Sequence, residues 1–84
     1  MARRVGTLEA AILALLADRP AGGTILIADA ARAVDEDRWQ ELAEPARRAA
    51  RRLVAAGEVD ILQAGRVVDA STAKGPFQVR LRHR

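Results

Sequence analysis

Glu58-Val59-Asp60-Ile61-Leu62-Gln63-Ala64-Gly65-Arg66-Val67-Val68 is the stretch in which the chain changes its period. Apolar residues alternate through 58–63, as they do in a half-buried strand. Ala64-Gly65 supplies a tight turn, and Arg66-Val67-Val68 reads as a short return strand. Downstream, Asp69 to Pro76 is a loop of small and polar residues. Phe77-Gln78-Val79-Arg80-Leu81-Arg82 then alternates cleanly, with Phe77, Val79 and Leu81 on one face and Gln78, Arg80 and Arg82 on the other.

Upstream of this ribbon the period is helical. Gly57 is the expected stop of a helix that starts near Arg38 and ends at Ala56, with Trp39 and Leu42 turned inward. Pro45 falls inside it, so the helix must kink there or restart with Pro45 in its first turn. Asp35-Glu36-Asp37 has the look of a metal-binding cluster, but acidic residues at this position cap and open the following helix. A second helix of about two turns is expected from Ile27 to Val34. It is preceded by the β-favouring Thr24-Ile25-Leu26 and by the breaker Pro20-Ala21-Gly22-Gly23. The first helix is expected from Leu8 to Asp18, with Thr7 as N-cap, Glu9 in the first turn, and Leu8, Ile12, Leu15 and Leu16 at helical spacing. Helix, short strand, helix, helix, then a β-ribbon is the order of an α+β winged helix-turn-helix: three helices plus a small antiparallel ribbon or wing.

Length and composition bound what such a domain does. The chain has 84 residues, one small domain over 1–84 with 1–6 and 83–84 expected to fray. Half the residues are hydrophobic, but 19 are alanine and only 22 are large apolar side chains other than Met1, so the core must be thin. With no cysteine there is no disulfide, thiolate zinc site, iron–sulfur cluster or cysteine nucleophile. The one histidine, His83, lies in the terminal segment. No apolar run reaches membrane-spanning length, and residues 1–6 carry charge without the apolar region of a secretory signal. These features predict a soluble cytoplasmic protein with no cofactor, no metal and no membrane partner. Ser71 has no histidine base and no carboxylate pair has a spacing suited to acid–base chemistry, so an enzyme is not expected.

Charge is distributed unevenly. Residues 1–44 hold five basic and eight acidic side chains, whereas residues 45–84 hold nine basic and three acidic. The sharpest feature is Arg47-Arg48-Ala49-Ala50-Arg51-Arg52-Leu53. At about 100° per residue, its four arginines cover an arc of roughly 140°, with Ala46, Ala49, Ala50, Leu53 and Ala56 on the other side. The i,i+4 pairs Arg47/Arg51 and Arg48/Arg52 repel by about 0.2–0.5 kcal/mol each. Glu44 offsets this for Arg47 and Arg48, its reach ending before Arg51 and Arg52. An anionic partner would turn that repulsion into binding, since guanidinium groups match phosphate and guanine edges. The plainer reading is a solvated arginine-rich face.

On the third helix, ahead of a ribbon, the stripe sits where helix-turn-helix proteins carry their recognition helix. The expected partner is therefore double-stranded DNA, met by Arg47, Arg48, Arg51 and Arg52 on the helix and by Arg66, Lys74, Arg80 and Arg82 on or near the ribbon. Exposed aromatics for single strands are not expected, Trp39 and Phe77 being read as buried. The alternative is a protein-interaction or regulatory module with no nucleic-acid contact, marked by an exposed apolar patch from Val5, Leu13 and Leu62. The Asp69–Pro76 loop reads structurally: Asp69 bonds nearby backbone, Gly75 takes a positive φ and Pro76 starts an edge strand. Its other reading is a polar pocket of Asp69, Ser71, Thr72 and Lys74 with Arg47 or Arg80.

Trp39-Gln40-Glu41-Leu42 with Ala46-Arg47, Gly57, Gln63, Gly65-Arg66-Val67-Val68-Asp69 and Gly75-Pro76-Phe77-Gln78-Val79-Arg80 carry a resemblance to DUF3253, a bacterial family of small domains of unknown function. It covers roughly residues 8–82. The resemblance implies a winged-helix fold and no assigned activity. Members of that family tend to have Cys-Pro-Ser ahead of the second helix, where this chain has Leu26-Ile27-Ala28. The serine cap is thereby lost, a cost of about 1 kcal/mol, with Asp29 placed to serve instead.

Overall fold

The computed structural model describes residues 6–82. Helix α1 spans Thr7–Ala17, strand β1 Thr24–Leu26, α2 Ile27–Val34 and α3 Trp39–Ala55; β2 (Val59–Gln63), β3 (Arg66–Val67) and β4 (Gln78–Leu81) follow. The four strands form one antiparallel sheet in the order β1-β4-β2-β3. This is the expected mixed α+β fold, with three helices and a small sheet compatible with a winged helix. Of the fraying expected at residues 1–6 and 83–84, all but Gly6 lies outside the described residues.

The ends of the helices follow from local chemistry, with two corrections. Thr7 is the first residue of α1 and not its cap; Gly6 holds the cap position, and its carbonyl accepts the Ala10 N–H at 2.9 Å. Helix α2 begins at Ile27 with Leu26 in the cap position, so Ala28, which stands where the family's capping serine was expected, lies inside the helix; Leu26 offers no cap bond of its own, and Asp29 serves there as expected. Its carboxylate accepts the Leu26 N–H at 2.9 Å, the return bond of a capping box. Asp35 accepts the N–H groups of Asp37 and Arg38 at 3.1 and 3.2 Å and so shapes the turn into α3. No metal-binding group of acidic residues is present among the described residues. Helix α3 runs through Pro45 without a break and gives up only the ladder bond that proline cannot donate. Its end is a Schellman motif: Glu58 N–H bonds the Leu53 carbonyl and Gly57 N–H the Val54 carbonyl, both at 2.9 Å, with Gly57 at φ 78°.

Small residues solve the thin-core problem. Ala30, Ala46, Ala49 and Ala50 are fully buried, so α2 and α3 approach closely over their alanine faces. Below them the sheet offers the cross-strand row Ile25–Val79–Ile61, each at most 2% exposed, against Ile12 and Leu16 of α1 and Leu53 of α3. Phe77 is buried as expected. Trp39 is not: it is half-buried at the rim of α3, with the Arg32 guanidinium 4.5 Å from its ring centre. Leu42 is likewise only half-buried. The alternation after Gly57 thus forms strands as predicted, but β4 lies in the middle of the sheet, and Pro76 leads into a central strand instead of an edge.

Candidate nucleic-acid interface

Strand β4 reaches its central place by way of residues 68–77, a strap that leaves β3 and lies across α3. Two arginines of α3 fasten it. Arg47 donates to the Gly75 carbonyl at 2.8 Å, and Arg51 donates to the Ala70 carbonyl at 3.1 Å. From the other side, the Gln63 side-chain amide donates to the carbonyls of Lys74 and Pro76 at 2.6 and 3.3 Å. The Arg47 guanidinium also lies 4.7 Å from the centre of the buried Phe77 ring, close enough for a cation–π contact. Within the strap, Asp69 accepts both the Ser71 N–H at 2.9 Å and its hydroxyl at 2.7 Å. The Ser71 hydroxyl, then the Ser71 N–H, hold the Asp69 carboxyl below the ordinary aspartate value. Gly75 has the positive φ expected of it, 78°. The loop is therefore built as the structural reading predicted, its Asp69 turned to its own backbone.

The eight cationic side chains sort into two groups. Arg47, Arg51, Arg52 and Arg82 are engaged within the fold. Arg47, whose side chain is 18% exposed, and Arg51, at 34%, reach Glu44 at 3.6 and 3.9 Å besides holding the strap. The reach of Glu44 thus extends to Arg51, one turn further than expected. Arg52 meets Glu9 of α1 at 2.7 Å, and Arg82 grips Asp60 at 2.8 Å and the Val59 carbonyl at 3.2 Å. Arg48, Arg66, Lys74 and Arg80 have no hydrogen-bonding or ionic partner for their side chains among the described residues. Arg48, Arg66 and Lys74 are exposed, whereas Arg80 is half-buried in β4, flanked by Thr24 and Asp60 in the neighbouring strands.

The strap joins most of these groups. Because Gln63 and Arg66 are cross-strand partners and Gln63 also holds the Lys74 carbonyl, Arg66 and Lys74 lie beside one another. Across the strap come Arg47 and Arg51, and Arg48 follows on the open side of α3. A strip of five cations thus runs from α3 to the β2–β3 hairpin, with Glu44 and Asp69 as its acidic members. Arg80 and Arg82 stand apart from it on the sheet. Residues 6–82 hold eleven Arg and Lys against eleven Asp and Glu, so this strip is one pole of a neutral body. The other pole, Asp35, Glu36, Asp37 and Glu41, lies where α2 turns into α3.

Sequence reasoning placed Glu44 beside Arg47, as found, but missed Gln63 and Glu9 as members of the site. Gln63 alone left a signal, standing among the residues that carry the family resemblance at the last position before the turn. The patch expected from Val5, Leu13 and Leu62 is not where apolar surface is found. Val5 lies outside the described residues, Leu13 packs against the core and Leu62 is buried. Leu26, 48% exposed, instead lies in a groove of about 530 Å³ with Ile27, Ala28, Ala43, Pro76 and Phe77.

A family model for proteins of unknown function, DUF3253, matches residues 6–82, which is the whole of the fold described above. The chain belongs to the DUF3253 family. Within the family's span fall the strap, its three fasteners and the exposed cations beside it. No curated protein matches the chain. Among the described residues, no helix is long and apolar enough to cross a membrane.

Proposed function

We propose that this DUF3253 protein binds duplex DNA through the cationic strip that joins α3 to the hairpin. The observation that supports it is the strap. By bonding to α3 on one side and β2 on the other, it ties together the elements that carry Arg48, Lys74 and Arg66, three exposed side chains without an ionic partner among the described residues. A row of exposed cations on a rigid frame meets a phosphate backbone without reorganising, and each contact releases a condensed counterion. Arg51, still partly exposed, is a fourth contact. Catalysis forms no part of this proposal.

Fluorescence anisotropy of a labelled mixed-sequence duplex, titrated with protein across a salt series, tests it. With three to four phosphate contacts the slope of log K against log salt is about −3, with dissociation constants of roughly 10⁻⁴ to 10⁻⁶ M near physiological salt. Arg48→Ala and Lys74→Ala each flatten the slope by about one. Absence of binding at low salt refutes the proposal. It would favour the second reading, a protein-interaction module, for which the observation is the open apolar groove around Leu26.

A further inference from the structure

Charge along α3 is sorted by position. Its first half and the turn before it expose Glu36, Asp37, Glu41 and Glu44, and its second half exposes Arg48 and Arg52. A helix that reads the major groove enters by its N-terminal residues, with phosphates passing on both sides. Here that end would carry four carboxylates into the field of the backbone. Of the two cations at that end, Arg38 is closed onto Glu41 at 2.6 Å, and Arg32 of α2 lies on the Trp39 ring. Glu36 and Asp37 have no cation against them among the described residues. The start of α2, the other place where a helix-turn-helix meets a phosphate, holds the Asp29 carboxylate on the Leu26 N–H.

We infer that the duplex lies along the strap edge, on Arg66, Lys74 and Arg48, and that the N-terminal half of α3 stays outside the groove. This rests on the duplex-binding reading above and specifies its mode. The protein tracks phosphates, and its ligand is duplex DNA of any sequence. Affinity comes from Lys74 on the strap and from Arg48 and Arg66 on the elements that the strap joins; with the strap fastened at four carbonyls, those of Ala70, Lys74, Gly75 and Pro76, the contacts are positioned before the duplex arrives.

The test uses the full chain and three labelled duplexes of equal length: mixed, A·T-rich and G·C-rich. All three are expected to bind within about threefold of one another, whereas base readout separates sequences by far more. Arg66→Ala and Lys74→Ala, both at exposed positions, weaken all three equally, and each lowers the salt slope by about one. Gln40→Ala, at the exposed start of α3, leaves binding unchanged. The double change Glu36→Gln with Asp37→Asn alters it less than about twofold near physiological salt, where screening over about 8 Å weakens the effect of charges held outside the groove. A preference above about tenfold between duplexes, a sequence-dependent loss in Gln40→Ala, or a gain above about fivefold in the double variant places α3 in the groove. Any of these overturns the inference and leaves duplex binding standing. If no duplex binds, the functional proposal itself fails and this inference with it.

Discussion

Replacing Arg47 by alanine removes the fastener on which the strap most depends. The guanidinium is largely buried, donates to the Gly75 carbonyl at 2.8 Å and covers the Phe77 ring at 4.7 Å. A hydrogen bond from a charged donor is worth about 1.5–3 kcal/mol net, and a cation–π contact about 0.5–1. The two share one group and do not add in full, and the ion pair with Glu44 at 3.6 Å contributes little at its exposure. A loss of roughly 2–3 kcal/mol is expected, against a total of about 4–12 for a domain of this length. At about 4–8 °C per kcal/mol, the melting temperature falls by roughly 10–20 °C. Urea denaturation followed by circular dichroism and by Trp39 fluorescence measures the loss, and coincident transitions establish that the change is global. Arg47→Met keeps the aliphatic stem over the core and loses only the donor and the charge; it should recover a minor part. Arg47→Lys keeps the charge but not the planar stack, and falls between. If Arg47→Ala costs less than about 0.5 kcal/mol, the strap is not held from α3 and the reasoning is wrong.

Ala64 occupies the first turn position of the β2–β3 hairpin at φ 52°, with Gly65 at 77° beside it, a turn in which a β-carbon is strained. Ala64→Asn is expected to stabilise by about 0.5–1 kcal/mol, measured by the same denaturation, while Ala64→Val destabilises; equal stability of all three would refute the strain. The Glu9–Arg52 pair at 2.7 Å ties α1 to α3 on the surface, so a double-mutant cycle should give a coupling of about 0.2–1 kcal/mol that shrinks in 1 M salt. Asp69 titrates below its ordinary 3.8 because Ser71 bonds its charged form. A depressed folded value means that its stabilising contribution is full above the unfolded pKa and is lost as pH falls through the folded one. Carboxyl NMR should place its midpoint below 3.8, and Ser71→Ala should return it upward; a midpoint at or above 3.8 would remove the basis for this.

The elements were legible in the sequence wherever one physical signal dominated. Gly57 ended α3 because only a positive φ completes the Schellman bonds, and the alternation around Ile61 and Val79 gave two strands whose buried residues now face the helices. The site was less legible because an arginine stripe specifies an arc and not a neighbour. Arg47 and Arg48 are adjacent in sequence and both basic. One lies under the strap and the other in solvent, and that difference is set by a segment 28 residues away from Arg47. Trp39 misled for a related reason. Large and apolar, it reads as core, but the buried cluster between α2 and α3 is built from alanines without it, and Arg32 lies over its ring. The reach of Glu44 to Arg51 depends on side-chain rotamers along the turn, which spacing alone does not determine.

The central place of β4 has a consequence for how the sheet is made. Ile25 pairs with Val79, and Ile61 pairs with the same residue from the other side. Until β4 arrives, β1 and β2 face each other across a slot about 10 Å wide, with unpaired backbone on both walls. Closing it requires a contact spanning more than fifty residues, so this step is expected to govern the folding rate. The slot accepts any strand of the right pattern, including residues 78–81 of another copy. Exchange of β4 between chains is therefore the misassembly to which this fold is most exposed, and its yield should rise with protein concentration during refolding.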